Sequence, residues 1–285
     1  MKVLAVIVTY NGMQWVDRCI GSVLDSAVKA DILVVDNGSS DGTQGYIREH
    51  FPSVELVEPG SNIGFGAANN IGFRKALDGG FDYVYLLNQD AWIFPDTIGT
   101  LAEVFSRSEG YGILSPFQAD ASGVTPDRRF AQKAGSLEGV GMVKEVRFIM
   151  AAHWMVSVEC IRTVGGFAAL FAHNGEDDNY CDRARFHGFK VGVCPQARGV
   201  HDRASRPLTK ADRIRLSTLT GNMARLADIN RPLWERVLSS LFVSTWKCVK
   251  YCSLRHLKNY FSVTGRLGEI RSLREESRLP GRILL

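Results

Sequence analysis

The sequence predicts an α/β protein with a mostly parallel sheet flanked by helices and a helical extension at the C-terminal end. In the first half, short apolar runs rich in β-branched residues alternate with segments whose apolar residues recur at helical spacing. Such alternation indicates parallel strands joined by right-handed crossover helices. Polar motifs directly follow several of the apolar runs, which predicts a binding site at the carboxyl edge of the sheet.

The first half of the chain supplies the predicted parallel strands and their crossover helices. The apolar runs have strand length, and the proline at position 95 suits the first turn of a helix. We predict strands at 3–9, 32–36, 54–58 and 83–88, and helices over 12–28, 65–77 and 95–108.

The regular alternation stops after a further predicted strand at 113–117. The polar, glycine-rich residues 119–145 are interpreted as a variable excursion over the active face. Beyond them we predict strands at 148–156 and 190–194, helices over 158–164 and 176–188, and helical structure after Pro207 that includes 233–251. Residues 1–205 are thus predicted to form an α/β domain, and 206–285 a basic helical region.

Length and composition are typical of a soluble globular protein. Of the 285 residues, 45% are hydrophobic and 22% are charged. No stretch approaches the ~20 apolar residues of a spanning helix. The apolar N-terminal run ends like a strand, without a signal-peptide cleavage site. The six cysteines show no zinc-like spacing, so reduced thiols and a cytoplasmic location are expected.

Charge is distributed unevenly along the chain. Residues 201–285 hold 17 Lys and Arg against 7 Asp and Glu, whereas residues 1–200 hold 17 against 23. A basic region that follows a slightly acidic body indicates an anionic partner. Nucleic acid is not expected as that partner, because no aromatic-basic platform or recognised nucleic-acid motif accompanies the basic residues.

An acidic segment, Asp36-Asn37-Gly38-Ser39-Ser40-Asp41, follows the second predicted strand. A carboxylate at a strand end can accept hydrogen bonds from a pyrimidine base or from ribose hydroxyls, and Gly38 allows the backbone to turn closely beneath a ligand. The alternative is an Asx-type turn that begins the next helix, and the motif taken alone favours that alternative.

A glycine- and alanine-rich helix start covers residues 62–72. Its small residues let the backbone approach a ligand, and its amides can meet a base or a phosphate. Close packing of the helix on the sheet explains the same small residues equally well.

A candidate metal ligand stands at the end of the fourth predicted strand, in Asn88-Gln89-Asp90. Oxygen ligands suit Mg²⁺ or Mn²⁺, which can also hold two phosphate oxygens. One carboxylate is a weak metal site, so a second ligand is needed. We prefer His201 for that position, ahead of His173 and His153.

Three consecutive acids, Glu176, Asp177 and Asp178, follow Gly175 at the start of a predicted helix. The helix dipole favours carboxylates there, so capping is the simplest explanation. Three acids without a cation in the same turn exceed what capping requires. Crowding should raise the pKa of at least one of them, as a general base needs.

Residues 3 to about 205 resemble the family-two glycosyltransferases of the GT-A fold, most closely the bacterial rhamnosyltransferase-like branch. The resemblance lies in five motifs spread along the chain. They are Val-Thr-Tyr-Asn at 8–11, the 36–41 segment, Asn-Ile-Gly-Phe-Gly-Ala-Ala-Asn at 62–69, Asn88-Gln89-Asp90 in the place of Asp-x-Asp, and an acceptor-side block from Gly165-Gly166-Phe167 to Phe189.

The resemblance implies inverting transfer of a sugar from a nucleotide-diphosphate donor to an acceptor hydroxyl. Asp90 and His201 would hold Mg²⁺ or Mn²⁺, and Asp177, with Glu176 as runner-up, would deprotonate the acceptor. The nucleotide sugar would be bound by residues of the first three motifs and of the strand end at 88–89. They are Thr9, Tyr10, Asn11, Asp36, Asn37, Asp41, Asn62, Gly64, Gly66, Asn69, Asn88 and Gln89.

Two positions depart from the family pattern. Asn88 replaces the first acid of Asp-x-Asp, and Asn179 replaces the last acid of Glu-Asp-x-Asp, while Asp178 adds one in the middle. Asp178 is therefore an acceptor-side candidate, as is Trp154, whose ring could meet a sugar, although core packing explains it better. The change at 179 leaves a catalytically impaired module that binds nucleotide sugar or polysaccharide as the alternative function.

The expected reaction extends a cell-surface glycan such as an O-antigen, with rhamnose as the first candidate sugar and dTDP or UDP as the nucleotide. Family members often act on polyprenyl-linked glycans at the inner membrane face, which gives the basic tail a use. An apolar helical stripe formed by Leu238, Leu241, Phe242, Thr245, Trp246 and Val249 could dock peripherally on an anionic membrane. Packing of the stripe on the body or on a second copy in a homo-oligomer has equal weight.

Overall fold

The computed structural model describes residues 1–171, 174–203, 209 and 214–282. Within them the chain forms one nine-stranded sheet with helices on both faces. The expected α/β architecture with a mostly parallel sheet and C-terminal helices is confirmed. The proposed domain boundary at 205–206 and the start of the helical region at Pro207 lie outside the described residues.

The first half of the sheet is parallel, as expected. Its three longer strands are rich in β-branched and apolar residues, and most of their side chains are buried because helices cover both faces. The register pairs Thr9 with Asp36 and Val8 with Asn88, so the polar strand ends lie side by side. The strands are β1 (Val3–Thr9), β2 (Asp31–Asp36), β3 (Glu55–Val57) and β4 (Tyr83–Asn88), in the order β3-β2-β1-β4.

The second half of the sheet mixes strand directions and continues the order as β4-β8-β6-β9-β5. β8 runs antiparallel between β4 and β6, whereas β6 and β9 are parallel to each other. The remaining strands, β5 and β7, both pair antiparallel with β9. The bounds are β5 (Ala91–Ile93), β6 (Tyr111–Ala119), β7 (Lys144–Val146), β8 (His153–Ser157) and β9 (Lys190–His201).

Three predictions for this half were wrong in detail. The strand predicted at 148–156 begins only at His153, and it pairs antiparallel with β4. Before it, the Ile149 carbonyl accepts from the Trp154 indole N–H and the Ala152 carbonyl from the Asn88 N–H. The strand predicted at 190–194 continues to His201, since its pairing with β6 resumes after an irregularity. The excursion at 119–145 contains β7 and a short helix that the Asp127 side chain caps.

The helices within residues 1–203 cover the two faces of the sheet and pack on it in two apolar layers. Five of them were predicted, with ends within four residues, whereas no bounds were predicted for the two at 43–50 and 128–134. They are α1 (Val16–Leu24), α2 (Thr43–His50), α3 (Phe65–Asp78), α4 (Thr97–Arg107), α5 (Arg128–Ala134), α6 (Val158–Val164) and α7 (Glu176–Phe186).

The C-terminal helices pack against α7 and the turn that precedes it. Ala168 and Phe171 share an apolar cluster with Met223, Ile270 and Leu273. Among the described residues, no helix combines the length and apolar character needed to cross a bilayer. The region contains a π-helical segment (Arg215–Thr220), α8 (Gly221–Ala227), α9 (Leu233–Tyr251), α10 (Arg255–Thr264) and α11 (Leu267–Glu276).

Candidate active site

The loops after β1 and β2 are joined by the carboxylate of Asp36. Its Oδ2 accepts hydrogen bonds from Thr9 Oγ1 at 2.7 Å and Ser39 Oγ at 2.6 Å. Its Oδ1 accepts from Gln44 Nε2 at 2.6 Å and from the backbone N–H groups of Gly38 and Ser39. Burial acts to raise the pKa of Asp36, but the hydrogen bonds from Ser39, Gln44 and Thr9 outweigh it and lower the pKa. Asp36 is therefore an ionised anchor that shapes both loops.

The neighbouring polar residues continue this network. Asp41 accepts from the Met13 N–H at 3.0 Å and from the Thr43 hydroxyl at 2.5 Å, so it ties the start of α2 to the first loop. Asn11 has a positive φ of 50° and accepts from the Ser40 N–H at 2.9 Å. The predicted nucleotide-binding segments 9–11 and 36–41 thus meet at one edge of the sheet.

Gln89 fixes the first loop from the β4 side. Its side chain accepts from the Tyr10 N–H at 2.7 Å and donates to the Tyr10 carbonyl at 3.2 Å. A Cβ on Gly12 would come within 2.6 Å of the Gln89 side chain, so this contact requires glycine. The side chains of Tyr10 and Asn11 stay exposed beside this clamp, whereas Gln89 itself is buried.

The glycine-rich start of α3 is shaped by close packing. A Cβ on Gly66 would meet the Phe167 side chain at 2.9 Å, and one on Gly72 would meet Val6 at 2.4 Å. The buried Asn69 donates to the Phe65 carbonyl within the same helix. Of the candidates in this segment, Asn62 is exposed, and its side chain accepts from the Gly64 N–H at 3.0 Å. The structure thus gives the small residues a packing role and leaves the loop before the helix for a ligand.

Asp90 and His201 are brought together by strand pairing. β5 is registered on β9 so that Ala91 pairs with His201, which places Asp90 beside the end of β9. His201 Nε2 lies 3.5 Å from Asp90 Oδ1, and both side chains are buried. The Asp202 N–H donates to the Asp90 carbonyl at 2.8 Å and holds this corner closed.

This pair fits the chemistry of a divalent cation. A carboxylate oxygen and an imidazole nitrogen are ligands that Mn²⁺ accepts, and the oxygen also suits Mg²⁺. His201 Nδ1 and Asn88 Oδ1 are buried polar atoms without a hydrogen-bond partner, as expected where a bound ion and its water would supply the partners. Within the described residues, no group of three or more His, Cys, Asp or Glu side chains gathers as a complete metal site. Phosphate oxygens or water would therefore complete the coordination.

His153 supports this corner without being free to bind a metal. Burial, and next the nearby His201, lower the pKa of His153 to about 3, so its ring is neutral. Nε2 donates to the Val200 carbonyl at 2.9 Å, which leaves Nδ1 to accept from the Tyr85 hydroxyl at 3.0 Å. Both nitrogens are occupied, so His153 positions the end of β9. His173, the other histidine considered, lies outside the described residues.

The acidic motif stands at the N-terminus of α7. Burial, and next the charge of Asp177, raise the pKa of Glu176 to about 8 and that of Asp178 to about 7. Burial also raises the pKa of Asp177, against hydrogen bonds from the backbone N–H groups of Asp178 and Ala151 and the charge of Arg203. The crowding expected from the sequence is thus present, and it acts together with burial.

Glu176 and Asp177 point to different surroundings. Glu176 is buried near Gly66 of α3, and its Oε2 has no hydrogen-bond partner. Asp177 is half-buried and senses the charge of Arg203, which also senses Asp90. Asp177 is linked to Arg203 and, through it, to Asp90, whereas Glu176 lies buried against α3. These surroundings make Asp177 the first candidate base and Glu176 the second.

Arg203 was missed at the sequence level. It lies between three carboxylates, with Nε 3.2 Å from Asp127 Oδ2 and with Asp90 and Asp177 near enough to raise its pKa against the lowering effect of burial. It stands only two residues after His201 in the sequence. That spacing was its sole signal, because the partner Asp127 lies in the segment taken for a variable excursion.

Two other positions turn out to be structural. Asn179 is fully buried, and its Oδ1 accepts from Arg183 Nε at 3.0 Å, while the Arg183 guanidinium donates to the carbonyls of Val164 and Gly166. Trp154 is also fully buried; it stacks on Phe167, with ring centroids 6.2 Å apart. The structure therefore gives Trp154 the packing role and offers none of its ring to an acceptor, whereas Asp178 stays half-buried beside Asp177.

Sequence comparison finds relatives that are named as glycosyltransferases, and this chain matches part of their length. The chain is 33% identical over 134 residues to the N-acetylglucosaminyl-diphospho-decaprenol L-rhamnosyltransferase of Mycobacterium tuberculosis, which is 44% of this chain and 44% of that protein. It is 32% identical over 112 residues to the undecaprenyl-phosphate mannosyltransferase of Micrococcus luteus, or 38% of this chain and 46% of that one. The chain spans about half the length of the curated relatives it matches.

Comparison with solved structures and with a family model completes the assignment. TarS 1–349 of S. aureus superposes with a TM-score of 0.64 at 14% identity, over 98% of this chain and 83% of that one. The mannosyltransferase PcManGT of Pyrobaculum calidifontis superposes with a TM-score of 0.60 at 15% identity, over 97% and 86%. These similarities confirm the GT-A fold. Residues 4–161, more than half of the chain, match the model of glycosyl transferase family 2, and the chain belongs to that family.

Proposed function

We propose that the protein is an inverting glycosyltransferase that moves a hexose, with rhamnose as the first candidate, from a nucleotide-diphosphate sugar to a hydroxyl of a growing cell-surface glycan. One observation carries the proposal. Asp177, half-buried and with a raised pKa, shares the charge field of Arg203 with Asp90, the carboxylate paired with His201. A candidate base, a cationic side chain and a candidate metal pair would therefore serve the same site.

The nucleotide would bind at the edge formed by the loops after β1 and β2. Asp36 holds the two loops in place, so the exposed side chains of Tyr10, Asn11 and Asn62 are left to meet the base and ribose. A pyrimidine nucleotide, dTDP or UDP, is the expected donor. The solved complexes of TarS 1–349 with UDP and with UDP-GlcNAc support a nucleotide at this fold.

The diphosphate would lie towards Asp90, His201 and Arg203. Mg²⁺ or Mn²⁺ held by Asp90 and His201 would neutralise charge on the departing diphosphate. Support comes from the buried partnerless atoms at that corner and from the GDP-Man and Mn²⁺ complex of PcManGT. The Arg203 guanidinium would contribute a fixed positive charge on the same side.

Asp177 would supply the proton transfer. Its carboxylate takes the proton of the acceptor hydroxyl as that oxygen bonds to the anomeric carbon, and the bond from this carbon to the diphosphate oxygen breaks on the opposite face. Configuration at the anomeric carbon is then inverted. General-base catalysis of this kind contributes about 10²- to 10⁴-fold to the rate.

A glycan on a lipid carrier is the proposed acceptor, at the cytoplasmic side of the membrane. The names of the related rhamnosyltransferase and mannosyltransferase both include a polyprenyl lipid. The half-buried Asp178, next to the proposed base, would contact the acceptor sugar.

The alternative of a catalytically impaired binding module loses its main support. It rested on Asn179, the position where the family motif has an acid. Asn179 faces the buried Arg183, behind the acidic helix start, so its change adjusts a structural contact. The candidate base Asp177 is still present.

A donor panel combined with one substitution tests the proposal. We expect one dTDP- or UDP-sugar to be consumed with Mn²⁺ or Mg²⁺ and less without, and Asp177→Asn to lower kcat about 1000-fold while donor affinity changes little. Asp78→Asn, an exposed acid at the end of α3, is the control and should keep full activity. Unchanged turnover in Asp177→Asn would remove Asp177 as the base, and a panel without any turnover would favour the binding module.

A further inference from the structure

Helix α9 presents its large apolar side chains outward and its small polar ones inward. Ser240, Ser244 and Cys248 form the buried face, and Ser244 Oγ accepts a hydrogen bond of 3.0 Å from Asn222 of α8. The outward face repeats at helical spacing and is exposed along its whole length. It consists of Trp234, Leu238, Leu241, Phe242, Trp246 and Val249, and we call it the outer stripe of α9.

The outer stripe exposes large apolar side chains to solvent. Phe242 and Val249 are 72% and 75% exposed, and two tryptophans stand on the same face. The side chains of the stripe predicted within 238–249 are likewise exposed, so among the described residues the structure contradicts its packing on the body. A contiguous apolar face on a folded domain marks a surface that binds a partner or a membrane.

One basic side chain lies against the stripe, others are exposed on the next helix, and acids are nearly absent from this part of the sequence. Lys250 lies over the Trp246 ring, with Nζ 4.6 Å from its centroid, and Arg255 and Lys258 are exposed on the next helix. Between residues 233 and 264, Glu235 is the single acidic residue of the sequence. Lysine stems beside aromatic rings place charge at the level where lipid headgroups begin.

We propose that α9 docks the protein on an anionic lipid bilayer, with the outer stripe lying in the interface and the basic side chains at the headgroups. Charge complementarity favours this occupant over a second copy of the chain. A second copy would present the same basic side chains with Glu235 as the single acid between residues 233 and 264, so it offers them little opposite charge. Anionic lipid instead gains about 1 kcal/mol for each nearby basic residue.

The docked helix is connected to the candidate active site through α8. Asn222 of α8 bonds to Ser244 of α9, and Arg225 of the same helix interacts with Asp178 of the acidic motif. Docking would therefore hold the acceptor side of the site near the membrane surface. Only this use, presentation of a lipid-linked acceptor, rests on the proposed function, since lipid binding itself needs no donor and no turnover.

Co-sedimentation of the full chain with lipid vesicles tests the proposal. We expect binding to phosphatidylcholine vesicles that contain about one third phosphatidylglycerol, weaker binding in high salt, and little binding to phosphatidylcholine alone. Phe242→Ser combined with Val249→Ser should lower vesicle affinity about tenfold, and Lys250→Glu combined with Lys258→Glu should do the same by removing the attraction to the headgroups.

A matched pair of single variants separates docking from general surface hydrophobicity. Val249→Ser should weaken vesicle binding, whereas Val124→Ser should not, although Val124 is 73% exposed in the loop before α5. Equal effects of the two changes would overturn the proposal. Absence of vesicle binding would also overturn the proposal. This holds if the chain is monomeric, and also if light scattering shows a dimer that Phe242→Ser abolishes. Because the assay contains no nucleotide sugar, these outcomes are independent of whether transfer is observed.

Discussion

Carboxylates at the start of α7 experience two opposed effects. Burial and mutual repulsion raise the pKa of Glu176 and Asp178, whereas backbone N–H groups and Arg203 stabilise the charge on Asp177. The three acids are neighbours in sequence, yet their surroundings give them different protonation behaviour. Assignment of Asp177 as the proposed base follows from this difference in environment.

Glu176 should destabilise the folded protein at alkaline pH. Its folded-state pKa of about 8 exceeds the ordinary value of 4.5, so the folded state binds the proton more tightly than the unfolded state does. The resulting cost is absent below about pH 4.5 and grows until about pH 8. We expect Glu176→Gln to raise Tm by about 2–4 °C at pH 8 and by much less near pH 5. Glu138→Gln, at an exposed site, is the control; a lower Tm for Glu176→Gln at pH 8 would contradict the assignment.

Arg203 should tune the proposed base as well as contact the diphosphate. Its positive charge lowers the pKa of Asp177, so its removal lets that pKa rise. We expect Arg203→Gln to move the acidic limb of the kcat/KM profile to higher pH by about 0.5–1 unit and to lower kcat about 10- to 100-fold. Arg203→Lys should restore most of the limb. A variant with reduced kcat but an unmoved limb would show that Arg203 does not act on the base.

At the level of elements, the acidic motif depends on the turn that precedes α7. Gly175 has a φ of 92°, and a Cβ there would lie 2.8 Å from Thr220 Cγ2 in the π-helical segment. A glycine at this point thus satisfies both the backbone conformation and the close contact. The N-terminus of α7 is thereby held against the C-terminal region.

Two glycine substitutions separate strain from contact. Gly175→Ala and Gly188→Ala both place alanine at a φ near 90°, but nothing lies within 4 Å of a Cβ at Gly188. We expect Gly188→Ala to cost about 1 kcal/mol of stability and to keep activity, and Gly175→Ala to cost more and to reduce kcat, because it displaces the acids. Chemical denaturation and initial rates measure the two effects. Equal losses in both variants would show that the Thr220 contact is unimportant.

At the scale of the whole molecule, the C-terminal helices share a core with the catalytic body. Ala168 and Phe171 precede α7, and they pack on residues of α8 and α11. The Arg274 guanidinium donates to the Leu226 carbonyl at 3.0 Å and closes this layer. The two predicted regions, 1–205 and 206–285, are therefore joined by buried contacts.

We accordingly expect a single cooperative thermal transition for the full chain. A truncated chain of residues 1–203 should expose the cluster around Phe171 and become less stable or aggregate, because the apolar surface that α8 and α11 cover would face water. Calorimetry and light scattering measure both effects. Two resolved transitions, or a stable truncated chain, would instead support two independent domains.

The sequence by itself determined the parallel half of the sheet and the identity of most candidate residues. Apolar runs and their polar ends are local signals, so the strands carrying Thr9, Asp36 and Asn88 could be located from spacing alone. The acids at 176–178 could also be recognised from the local sequence. Local chemistry also sufficed for the family resemblance, which the family model confirms.

Only the tertiary structure decided which of these residues meet and which serve packing. The pairing of β5 with β9 joins Asp90 to His201, 111 positions apart, and Arg203 forms an ion pair with Asp127 in a segment without a strong pattern. Burial turned Trp154 and Asn179 into core residues and left the outer stripe of α9 exposed. Such outcomes depend on contacts between distant parts of the chain, and local periodicity does not encode them.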